Sequence, residues 1–98
     1  MKPHQDYHDK KYQIVQLINS IWYRHGNGLD MRISVYHMVV NVHVVKLDGR
    51  GINRAESRFS VDLQAGGLDT VLDLAKRQME TALKDCGAEF MTISEFRV

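Results

Sequence analysis

The sequence predicts a single α+β domain, with a three-stranded antiparallel or mixed sheet and two helices packed on one of its faces. Three observations lead there. Two stretches repeat apolar residues at helical spacing. Others run or alternate with β-branched residues, as strands do. Short glycine turns separate them, at Gly26-Asn27-Gly28, Asp48-Gly49-Arg50-Gly51, Gly66-Gly67 and Gly87. The 98 residues suit one domain, 1–98, and no repeat or Gly/Ser linker divides them.

The first helix is predicted over Pro3 to His25. Pro3 suits a first turn, where its missing N–H costs nothing. Tyr7, Lys11, Ile14, Val15, Ile18 and Trp22 recur in steps of three and four, and Leu17 and Ile21 widen the stripe. Arg24 and His25 suit the negative end of the helix dipole, and Gly26 is expected to take a left-handed cap. From about Arg32 to Val45 the chain reads as one long strand, and Asn53 to Leu63 as a second. Leu68 to Cys86 is the second helix, its stripe formed by Leu68, Val71, Leu72, Ala75, Met79, Ala82, Leu83 and Cys86. Asp69 or Thr70 is the expected N-cap and Gly87 the C-terminal stop. Phe90 to Val98 alternates as a last strand. The expected order is α-β-β-α-β.

Asp48-Gly49 is a strong signal for a two-residue hairpin turn. It would pair Leu47 with Arg50, Val42 with Ala55, Met38 with Phe59 and Tyr36 with Val61. One face then gathers Tyr36, Met38, Val40, Val42 and Val44 with Ala55, Phe59, Val61 and Leu63, an apolar surface for the helices. The other carries Ile33, Val35, His37, Val39, Asn41, His43 and Val45 beside Arg54, Glu56, Arg58, Ser60 and Asp62. With both helices on the first face, this second one is open. Its mixture of apolar and polar groups suits a docking surface.

Composition narrows the function. Cys86 is the only cysteine, so a disulfide scaffold is excluded, and a lone thiol suits a reducing, cytoplasmic compartment. No apolar run approaches the roughly 20 residues of a membrane helix. The polar start, Met1-Lys2-Pro3-His4-Gln5-Asp6, does not read as a signal peptide. Thirteen Lys and Arg against twelve Asp and Glu give a net charge of +1, which removes a strong overall pull toward nucleic acid or membrane.

The motifs point away from catalysis. His4 and His8 have zinc-ligand spacing on a helix, but no third ligand is specified nearby. His37 and His43, about 20 Å apart on an extended strand, cannot chelate one ion. Cys86 sits on an apolar helical stripe, where a thiol acts as a small hydrophobe. Gly66-Gly67 lacks the residues of a P-loop, and no nucleophile elbow is present. Lys46, Arg50, Arg54 and Arg58 cluster at the hairpin tip, and Asp48 and Glu56 leave +2 there. A basic hairpin can grip phosphates.

The predicted order resembles ferredoxin-like domains lacking their first strand, and type II KH-like domains. Gly66-Gly67 is not the GxxG loop of the latter, so the resemblance is architectural and carries no functional residue. The small size and missing catalytic apparatus are similar to those of accessory proteins, including phage-encoded inhibitors. The expected function is therefore a non-catalytic protein-interaction module, without metal or cofactor. It would dock a protein partner or a second copy through Val35, His37, Val39, Asn41, His43, Arg54 and Arg58. The alternative is nucleic-acid binding through Lys46, Arg50, Arg54 and Arg58.

Overall fold

A computed structural model describes residues 3–88, with side chains from residue 7 onward. The strand expected over Phe90–Val98 lies outside the described residues. Five elements follow in the order α-β-β-β-α: α1 (Pro3–His25), β1 (Leu29–Tyr36), β2 (Val39–Leu47), β3 (Asn53–Asp62) and α2 (Leu68–Asp85). The sheet is antiparallel, in the order β1-β2-β3. The expected class holds: three strands, two helices, one apolar layer between them. The order differs, because the segment read as one long strand forms two.

Helix α1 buries Ile14, Leu17, Ile18 and Ile21, the stripe its spacing predicts. At its end Gly26 is buried, and its N–H donates to the Trp22 carbonyl over 2.7 Å. The left-handed residue is Gly28 (φ 82°), not Gly26. Gly26 is needed for space, since a Cβ there would lie 2.7 Å from the Trp22 carbonyl oxygen and collide with the indole ring. That ring folds back over the turn, and its Nε1–H donates to the Leu29 carbonyl over 3.0 Å. The indole thereby ties α1 to the first strand.

Strand β1 turns into β2 through two residues, His37 and Met38, both left-handed (φ 50° and 62°). This is the geometry that two-residue hairpins favour, usually built from Asn and Gly. In non-glycine residues it costs roughly 1–2 kcal/mol each. Eight cross-strand pairs, from Leu29↔Lys46 to Tyr36↔Val39, offset that cost. The Leu63 N–H adds a bond to the Met38 carbonyl over 2.9 Å. Folding back also reverses side-chain parity. The odd-numbered Leu29, Met31, Ile33 and Val35 now lie on the same face as the even-numbered Val40, Val42 and Val44. Ile33 and Val35, expected on the open face, therefore pack toward the helices.

The β2–β3 register also differs from expectation. Val42 pairs with Phe59, Val40 with Val61 and Lys46 with Ala55, with an irregularity before Leu47↔Asn53. The cause is a wider loop than the expected two-residue turn at Asp48-Gly49. The Asp48 N–H donates to the Ile52 carbonyl, and the Gly51 N–H to the Asp48 carbonyl. The Asp48 side chain accepts from the N–H groups of Arg50 (2.8 Å) and Ile52 (3.0 Å), while Gly51 takes φ 79°. The net displacement of pairing is an even number of residues, so the faces of β2 and β3 survive it.

Helix α2 buries Val71, Ala75, Met79, Ala82 and Leu83. Its N-cap is Gly67 rather than Asp69 or Thr70, with no side-chain cap bond, and Gly87 (φ 86°) ends it as expected. It lies against β3 and α1, while α1 reaches β2. Lys10 Nζ donates to the carbonyls of Leu63 (3.3 Å) and Gly66 (2.9 Å), joining α1 to the loop before α2. The helix-facing residues of central β2, Val40, Val42 and Val44, are thus buried, whereas Met31, Ile33 and Val35 on β1 are half-buried. Among the described residues, no helix is long and apolar enough to cross a membrane.

Candidate docking face

The sheet face turned from the helices is built in rows by the two registers. Pairing sets Tyr36–Val39–Asp62 at one end, then Ser34–Asn41–Ser60, then Arg32–His43–Arg58, then Asp30–Val45–Glu56. Neighbours within a row have Cβ atoms about 5 Å apart, so each row acts as a unit. The two central rows, together with Ile33, Val42 and Phe59, line a shallow open depression of about 510 Å³.

Hydrogen bonds organise this centre. The Ser60 hydroxyl donates to Asn41 Oδ1 over 2.7 Å, which turns the amide N–H₂ edge into the donor offered beyond the row. His43 Nε2 stands 2.7 Å from Glu56 Oε2, and an Arg58 Nη2 lies 3.8 Å from the same oxygen. The hydrogen bond from the His43 ring, with a lesser contribution from the Arg58 charge, holds the Glu56 carboxyl below the usual carboxylate range, against an opposing effect of burial larger than the Arg58 contribution. The exposed guanidinium groups of Arg32 and Arg58 flank the imidazole. The centre is a platform of hydrogen-bond donors with a basic row across it.

The expected docking residues divide. Val39, Asn41 and His43 on β2 and Arg58 on β3 belong to this face, while Arg54 falls at the register irregularity and its side chain is bonded to Asp48. Val35 does not, because the turn places it on the helix side. His37 does not either: it sits in the loop, its ring edge-on to Tyr36 at 4.0 Å between centroids. Asp30, Arg32, Ser34 and Tyr36 join the face unforeseen. A signal for them was present, since Leu29-Asp30-Met31-Arg32-Ile33-Ser34-Val35-Tyr36 alternates apolar and polar without a break.

The basic hairpin cluster is dispersed. Lys46 has the parity of Val44 and lies on the helix side, near Gly87. Arg50 is in the loop. Arg54 is bound to Asp48, with Nη2 3.0 Å from Oδ2. The backbone N–H groups of Ile52 and Arg50, more than the Arg54 contact, pull the Asp48 carboxyl below its ordinary range. Only Arg58 belongs to the central basic row.

Cys86 lies on the opposite side of the sheet, buried, its thiol donating to the Val44 carbonyl over 3.5 Å. Burial first, then the nearby Asp85 and Glu56 charges, push that thiol up from its ordinary pKa. Among the described residues no group of three His, Cys, Asp or Glu side chains is placed to hold a metal ion. No family model matches this chain, and neither a curated protein nor a solved structure is significantly similar to it.

Proposed function

We propose that the chain is a non-catalytic interaction module of the accessory or inhibitor type, acting in the cytoplasm and docking a protein partner through the open sheet face. The observation that carries this reading is the Arg32–His43–Arg58 row beside the Ser34–Asn41–Ser60 row. Arginine in a donor-rich centre suits carboxylate groups, which a guanidinium binds through two parallel bonds. Tyr36 and Val39 at one end of the face and Val45 at the other supply apolar contact around it. The partner would present an acidic, hydrogen-bonding surface.

The test is affinity capture with wild type and a Val39→Glu/His43→Glu variant, after circular dichroism has shown the variant folded. Proteins held by wild type and lost by the variant support the reading. Capture unaffected by the double change removes this face from the interaction.

Nucleic-acid binding through Lys46, Arg50, Arg54 and Arg58 ranks second, because Arg54 is paired with Asp48 and Lys46 lies on the other side of the sheet. It requires an affinity that falls steeply with salt and that Arg50→Ala/Arg54→Ala weakens. Binding indifferent to both would end it.

A further inference from the structure

The open face carries its charges in two adjacent rows of opposite sign. Asp30 and Glu56 stand at the ends of one row, and Arg32 and Arg58 at the ends of the next, with Val45 and His43 between them on β2. All four charged residues are exposed. The basic row asks an acidic surface of its partner, and the same face holds one two residues away along the same strands. A face that carries both halves of such a pairing is complementary to itself.

Two sheets stacked face to face about 10 Å apart bring opposed side chains into contact. A twofold axis between them runs along the strands or across them. Along the strands and centred on β2, it sets Arg32 against Arg58 of the partner copy, and Asp30 against Glu56, like charge on like. Across the strands, an axis on either charged row sets each charge against its own copy. An axis between the Arg32 and Ser34 rows sets Glu56 against Asp62. An axis on the Ser34–Asn41–Ser60 row pairs Arg58 with Asp62, which makes two ion pairs. An axis between the acidic and basic rows sets Asp30 against Arg32 and Glu56 against Arg58, each twice by symmetry, and makes four.

We infer that the open face packs against the same face of a second copy, about a twofold axis lying across the strands between the Asp30 and Arg32 rows. The occupant of the proposed docking face is then a second copy of this chain, and the inference rests on that reading of the face. The same placement serves the two ends of the sheet. Tyr36 and Met38 at the β1–β2 turn, and Leu47 and Ile52 at the β2–β3 loop, are large apolar residues left exposed. The twofold carries the first end over the second end of the partner copy, and the reverse by symmetry. A net charge of +1 sets little repulsion between copies.

The experiment is light scattering of the full chain across a dilution series, with each variant first shown folded by circular dichroism. The expected result is a concentration-dependent species of twice the 11.3 kDa chain mass, weakened by salt. Asp30→Arg should weaken it about tenfold or more, because two opposite-charge pairs become two like-charge pairs. Adding Arg32→Asp restores both pairs with reversed polarity and should recover dimerisation. Arg58→Glu, on the far strand of the face, should weaken the dimer as Asp30→Arg does, and Val39→Glu/His43→Glu should weaken it too. A monomer at every concentration overturns the inference. So does a dimer indifferent to Asp30→Arg, to Arg58→Glu or to the Val39→Glu/His43→Glu change, or a charge swap that fails to rescue. A monomer that still captures a different protein, lost with Val39→Glu/His43→Glu, overturns the second copy and leaves the docking face standing. A monomer whose capture ignores that change removes both.

Discussion

His43 and Glu56 lie on adjacent strands two residues out of direct register, and the diagonal brings His43 Nε2 to 2.7 Å from Glu56 Oε2. The contact holds the carboxyl below its ordinary range. A carboxylate depressed in the folded chain stabilises it above the unfolded value, and that stability disappears as pH falls through the folded value. Melting temperature should therefore decline from the ordinary carboxylate range downward. Glu56→Gln should flatten part of that decline and lower stability at neutral pH. Thermal melts of both proteins between neutral and strongly acidic pH check this, and identical slopes would refute the contact's role.

The left-handed turn at His37 and Met38 should be improvable. His37→Asn/Met38→Gly supplies residues that accept positive φ readily, at a hairpin already closed by Tyr36↔Val39. Stability should rise by about 1–2 kcal/mol, because the freedom that glycine adds to the unfolded chain offsets part of the strain relieved. Denaturant unfolding measures it, and a lower midpoint would show that the native loop residues make compensating contacts.

Gly26→Ala should have the opposite sign. The new Cβ would meet the Trp22 carbonyl, which is backbone and cannot swing away, as well as the indole ring. The loss should be about 1–3 kcal/mol, as for other overpacked sites. Quenching or shifting of Trp22 fluorescence should accompany it. Gly28→Ala, at a site with open space but φ 82°, should cost stability without moving that signal.

Cys86 should be protected from thiol reagents in the native state. Its side chain is buried, bonded to the Val44 carbonyl and held neutral above its usual range. Alkylation should be at least about tenfold slower than in denaturant. Stability should also fall as pH rises above the ordinary thiol range, because only the unfolded chain then releases the proton. Rapid native-state labelling would contradict the placement of α2's last turn.

The helices were legible because their signal is local. Pro3 to His25 and Leu68 to Asp85 each repeat an apolar stripe long enough to specify itself, and the buried residues follow it. The break between β1 and β2 was not legible. It falls at His37-Met38, two residues with no preference for a turn, inside a run of β-branched residues that reads as continuous. Half of the docking face was lost with it: Arg32 and Ser34 were not foreseen, and Val35 and His37 were placed on a surface they do not reach.

By itself, then, the sequence determined the α+β class, both helices, and which face of β2 and β3 is apolar. That last result survived a wrong hairpin register, because alternation has a period of two and an even displacement leaves every side chain on its side of the sheet. Only the tertiary structure decided which strand stands at the edge and which residues share the open face. A two-residue reversal exchanges odd for even positions, and its strain is tolerated only once the ladder from Leu29↔Lys46 to Tyr36↔Val39 and the helices above it are in place. That energy is cooperative and non-local, so no window of the sequence contains it.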